Sequence, residues 1–115
     1  MREPIKDLSR LYHILEQINN IDEFVSNKSY EQLVNDKILQ YALTKAIEII
    51  GEAAYMLSVE FKNNHPQTPW LQIINMRHVL VHGYYHITMP LLWATVNDDI
   101  PQLRPQIETY IKELA

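Results

Sequence analysis

The stretch DKILQYALTKAIEIIGEAAYMLSVEFKN, residues 36–63, decides the fold. Leu39, Leu43, Ala46, Ile50, Ala53 and Leu57 recur at three- and four-residue steps, and no proline interrupts the run. Ile38, Ala42, Ile49 and Met56 widen the stripe. So broad an apolar surface predicts one long central helix, from Asp36 to about Asn63, buried on more than one side. Gly51 in its middle costs about 1 kcal/mol relative to alanine. Two explanations stay open for it, a close backbone approach or a neutral accident. Glu48 and Glu52 stand one turn apart, either solvated or paired with Lys45 or Arg77.

On the N-terminal side, Pro4 suits a first helical turn. Ile5, Leu8, Leu11/Tyr12, Leu15 and Ile18 then give one apolar face, predicting a helix to about Val25. Ser26-Asn27-Lys28 reads as a loop. Ser29 and Gln32 form a capping box for a short helix to about Asn35. On the C-terminal side, His65-Pro66 stops the central helix. Thr68 is expected as N-cap and Pro69 as first residue of a helix over about 69–82, with Gly83 as its left-handed C′ residue. Thr88 is expected to cap a helix from about Met89, with Leu91, Leu92, Trp93 and Val96 apolar. Asn97-Asp98-Asp99 leads into Pro101 as a kink or new start. Ile100, Leu103, Ile107, Tyr110/Ile111 and Leu114 then mark the last amphipathic helix. There is no strand alternation and no internal repeat. The prediction is an all-α, antiparallel four-helix bundle with one or two extra short helices, spanning residues 1–115 as one domain.

Apolar content of 47% and charged content of 21% are those of a water-soluble globular chain. No apolar run approaches the roughly 18 residues of a membrane span, and the N-terminus lacks a signal-peptide core. With no cysteine there is neither a disulfide framework nor a thiolate zinc site. The expectation is a cytoplasmic protein without cofactor. A net charge of −4 argues against a general nucleic-acid coat.

That charge is unevenly placed. All fourteen carboxylates lie outside residues 61–97, where an even spread would put roughly four or five. The window holds Lys62, Arg77, His65, His78, His82 and His86, and predicts a local site for an anion such as phosphate. The plainer reading is a buried helix with few charges.

Within the window, Met76–His86 concentrates one arginine, three histidines and two tyrosines. Three chemistries fit. His78, His82 and His86, four apart, could ligate a metal, although Gly83 breaks the spacing and no thiolate or carboxylate is near in sequence. The groups could be structural, a histidine at a helix end meeting the dipole. Or they could cleave RNA without a metal, with histidine moving protons and arginine holding the phosphorane. On an ideal helix Arg77 and His82 are roughly 140° apart. The site then needs either an unwound last turn or two copies across a dimer axis.

Arg77-x4-His82-x-Tyr84 resembles the R-x4-H-x-Y signature of the HEPN superfamily, in particular its HepT-like toxin branch. Ile49-Ile50-Gly51-Glu52-Ala53-Ala54, the approach from His65-Pro66 to Arg77, and the tail around Leu92-Trp93 and Asn97–Pro101 also resemble that family. The resemblance implies a helical homodimer whose paired motifs form a metal-independent endoribonuclease site, with Arg77 and His82 catalytic. Transfer RNA or message would be the substrate. It further implies a toxin–antitoxin pair in which a minimal nucleotidyltransferase transfers AMP from ATP onto Tyr84. AMP there would repel the RNA phosphate. His78 stands where the family often has asparagine, and with His86 is expected to support phosphate binding. Tyr85 is a second possible acceptor. The alternative is a non-catalytic helical subunit that docks the nucleotidyltransferase.

Overall fold

The computed structural model describes the backbone of residues 2–82 and 89–115, and the side chains of residues 6–76 and 89–115. Among them every regular element is helical. Helix α1 is Arg2–Val25, α2 Tyr30–Val34, α3 Lys37–Met56, α4 Val59–Asn64, α5 Trp70–His82, α6 Met89–Ala94 and α7 Ile100–Leu114, with a π-helical turn over Thr95–Asp99. Helix α3 packs on both α1 and α5, and α7 closes against α1. The all-α expectation holds. The expected Gly83 and Thr88 caps lie outside the described residues.

One apolar cluster joins these helices. The predicted stripe of α3 is buried throughout, and Leu11, Ile14, Ile18 and Ile21 of α1 meet it, as do Ile100, Leu103, Ile107 and Tyr110 of α7. The widening of that stripe falls on the other flank from the one expected. Ile38 is 82% exposed and Met56 46%, while Ile47, Gly51 and Ala54 are buried. Ile47 and Ile50 share a small cavity with Ile73 and Met76 of α5. Gly51 lies next to them in α3, buried and without the side chain that would hold a neighbour away. A close helix–helix approach is therefore the reading its position favours.

The central helix is not continuous to Asn63. It ends at Met56; Leu57 turns extended (φ −62°, ψ 147°) and Ser58 caps α4, accepting from the Phe61 N–H. Two groups hold this break. The Asp7 carboxylate of α1 accepts from the Ser58 N–H at 2.8 Å and from its hydroxyl at 2.7 Å. Lys62 of α4 donates to the Ala54 and Tyr55 carbonyls at 3.3 and 3.2 Å, at the end of α3 where a cation is favoured. The predicted capping box is present, with Ser29 Oγ accepting from Gln32 N–H and Gln32 Oε1 from Ser29 N–H.

At Pro101 the chain neither kinks into a loop nor restarts. The Ile100 N–H reaches back to the Thr95 carbonyl, one residue further than in an α-helix, so α6 and α7 run on through a π-helical turn. Pro101 has no N–H to give the carbonyl four residues back, and a widened turn accommodates its ring. Thr95 Oγ1 and Asn97 Nδ2 donate to the Leu91 and Trp93 carbonyls at 2.9 and 2.8 Å. Pro101 and Pro105 both face solvent, where carbonyls they leave unpaired meet water. Arg104 clamps α7 to α1 through Asn19 at 2.7 Å and a close ion pair with Asp22.

Candidate functional site

Helix α5 carries the motif, and a knot of aromatic and polar side chains fixes where it starts. The Trp70 indole N–H donates to the His65 carbonyl at 2.9 Å, and its ring meets Phe61 and Tyr110, each at 6.0 Å between centroids. Thr68 does not cap α5 with its hydroxyl. That hydroxyl is buried, donates to Gln106 Oε1 at 2.8 Å and receives the Tyr110 hydroxyl at 2.5 Å. The first helical carbonyl acceptor is Pro69, bonded by the Ile73 N–H at 3.0 Å. Tertiary bonding to α7 has taken the side chain that local sequence assigned to the cap.

Two of the six basic groups in the acid-free window serve this scaffold. The His65 ring stacks on Phe61 at 4.1 Å, its Nδ1 lies 2.8 Å from the Phe61 carbonyl, and its Nε2 lies 3.0 Å from Glu113 of α7. A carboxylate remote in sequence thus meets the window. Lys62 is committed to the end of α3; burial lowers its pKa, opposed by the charge of Asp7.

The remaining four are the arginine and histidines of the motif. Arg77, His78 and His82 lie on the last turns of α5. Tyr84 and His86 lie outside the described residues. Helix α5 is unbroken from Trp70 to His82. Arg77 and His82 are therefore still separated by roughly 140° about the axis. Arg77 stands seven positions after Trp70 and His82 seven after Asn75. No one face of α5 holds both positions. Of the two remedies considered above, an unwound last turn is not what the backbone shows.

The exposed register of α5 borders an open groove of about 840 Å³. Leu71, Gln72, Asn75 and Met76 form one wall and Leu91, Thr95 and Asp99 the other. Asp99 lies just beyond the acid-free window, in the Asn97–Asp99 stretch expected to lead into a kink or new start at Pro101. Burial, and secondarily the neighbouring Asp98 charge, raise its carboxyl pKa above the ordinary value. Among the described residues no three His, Cys, Asp or Glu side chains converge as a metal site. No helix among them is long and apolar enough to cross a membrane.

Comparison with known proteins matches residues 14–110 to the family described as HepT-like, "Ribonuclease HepT-like". The chain is similar to "Probable ribonuclease HepT" of Thermococcus cleftensis, 40% identical over 98 residues that cover 85% of this chain and 89% of the other. It is 37% identical to "Putative RNase MJ1380" of Methanocaldococcus jannaschii over 98 residues, covering 85% and 90%. It is 35% identical to "Putative RNase TTE0752" of Caldanaerobacter subterraneus over 103 residues, covering 90% and 92%. No solved structure matches the chain.

Proposed function

This chain belongs to the ribonuclease HepT-like family, and from that membership we propose that it is a metal-independent endoribonuclease acting as the toxin of a toxin–antitoxin pair. The observation that supports a two-copy site is the unbroken α5. Arg77 and His82 occupy different faces of one helix, so one chain offers them poorly to one phosphate. Two α5 helices related by a two-fold axis offer the arginine of one copy beside the histidine of the other.

In that arrangement one His82 takes the proton of the RNA 2′-hydroxyl, whose oxygen attacks the adjacent phosphorus. The other His82 protonates the departing 5′-oxygen, leaving a 2′,3′-cyclic phosphate and a free 5′-hydroxyl. Arg77 stabilises the charge on the non-bridging oxygens through its planar fork. His78 and His86 support phosphate binding. The substrate is RNA, transfer RNA or message, and the protein works in the cytoplasm as a homodimer.

A minimal nucleotidyltransferase is the proposed antitoxin. The Tyr84 hydroxyl attacks the α-phosphorus of ATP, pyrophosphate leaves, and the tyrosine carries AMP. The added phosphodiester charge opposes the RNA backbone at the site.

The test is intact mass of the protein made with and without a minimal nucleotidyltransferase and ATP, with RNase assays on both forms. Whole AMP units on Tyr84 and loss of cleavage on modification are expected. A dimer that cleaves no RNA and gains no mass would point instead to a docking subunit.

A further inference from the structure

The groove beside α5 carries polar groups that the scaffold does not use. Asp99 sits at the N-terminus of α7 yet caps no backbone N–H. Among the described residues, nothing is bonded to the side chains of Asp99, Gln72 or Asn75. Trp70, Leu71, Met76 and Leu91 supply the apolar surface between them. Lys62 borders the same groove, with two of its three N–H donors committed to the Ala54 and Tyr55 carbonyls and one left. At about 840 Å³ the space is of small-ligand size. A second, smaller cavity of about 220 Å³ adjoins it, and Asp99 lines both.

We propose that this groove binds a guanine base of single-stranded RNA, with the Asp99 carboxylate accepting its N1–H and 2-amino hydrogens and Lys62 meeting a flanking phosphate. The assignment rests on the ribonuclease reading above and adds a base preference to it. An ionised carboxylate only accepts, and it offers two oxygens side by side. Guanine alone among the RNA bases has two adjacent donors on its Watson–Crick edge. Adenine and cytosine each set an acceptor beside a donor, and uracil has a single donor between two carbonyls. Proteins that read RNA sequence take splayed single-stranded bases by that edge. Side-chain amides at Gln72 and Asn75 can serve the remaining base atoms, since each both donates and accepts. Among the described residues, the charged groups around Asp99 are Asp98 beside it and Lys62 along the groove. A core interface between protein copies is depleted of charge, and the aspartate and lysine of this groove fit it less well.

The test is fluorescence anisotropy with labelled pentanucleotides UUXUU built on 2′-fluoro sugars, which lack the attacking hydroxyl and cannot be cleaved. Guanine at X is expected to bind at least ten-fold tighter than adenine. Inosine, lacking the 2-amino group, is expected to lose several-fold, a result that needs no variant. Asp99→Asn, with an unchanged circular dichroism spectrum, is expected to erase the guanine preference. Equal affinity for guanine and adenine would overturn the assignment, as would a preference retained in folded Asp99→Asn. GMP competing as well as the pentamer would make this a free-nucleotide site and overturn the RNA assignment. No binding at all, with Leu91→Asp turning a dimer into monomers, would mean that a second copy covers the groove and would overturn it too. Because the probe is not cut, base preference is read apart from cleavage. Failure of ordinary RNA to be cleaved is a separate result that removes the nuclease reading alone.

Discussion

Asp7 and Ser58, 51 positions apart, are joined by two hydrogen bonds: the carboxylate of α1 accepts the Ser58 N–H at 2.8 Å and its hydroxyl at 2.7 Å. Asp7 is only 4% exposed, so water does not readily replace it. This contact divides what would otherwise read as one long helix and sets where α4, and through it α5, begins. Asp7→Ala leaves a partly buried N–H and hydroxyl unpaired. It is expected to lower stability by about 2 kcal/mol, a fall in Tm of roughly 8–10 °C by scanning calorimetry.

Thr68→Val keeps the side-chain shape and removes the hydroxyl shared by Gln106 and Tyr110. A loss of about 1–2 kcal/mol is expected in urea denaturation. Adding Tyr110→Phe should cost less than the sum of the single changes, because both sit in one network. Full additivity would mean that the two hydroxyls do not support one another.

The composite ribonuclease site can be tested by mixing. Arg77→Ala and His82→Ala homodimers are each expected to lose cleavage by at least about a hundred-fold, the scale for losing a transition-state charge partner or a proton-transfer group. Subunit exchange of the wild-type protein with excess His82→Ala protein leaves heterodimers with a single His82, which should lose cleavage as the His82→Ala homodimer does. If each chain holds its own complete site, every heterodimer keeps half of the wild-type activity.

Asp99 carries a sign for pH dependence. Its carboxyl pKa is raised in the folded protein by burial, then by Asp98. The folded state therefore holds the proton more tightly than the unfolded chain, and ionising Asp99 costs stability above that pKa. Asp99 is exposed, so solvent screens most of this cost, and Asp99→Asn is expected to raise Tm only slightly at pH 7. The gain should shrink as pH falls through the raised pKa and vanish below the ordinary value of 3.8, which thermal melts across pH 3–7 would show.

The helices were legible wherever local periodicity and local capping agreed. The Ser29–Gln32 box and the Leu39–Leu57 stripe came from interactions within three or four residues, which sequence spacing encodes directly. Two misread points share a cause. Ser58 and Thr68 bond to Asp7, Gln106 and Tyr110, partners 38 to 51 positions away, and no local rule reports such contacts. The acid-free window was legible as composition, yet Glu113 meets His65 within it and Asp99 lines the groove beside it.

The sequence by itself determined an all-helical chain, the placing of Arg77 and His82 near the end of one helix, and the family to which the motif points. These follow from residue types and spacing along the chain. The tertiary structure alone decided that the central helix breaks at Ser58. It also decided that Lys62 and His65 are drawn into the scaffold while Asp99 stays uncommitted in a groove. Each of these outcomes is set by which partner a polar group reaches once the helices have packed. A buried polar group must take a partner wherever packing provides one.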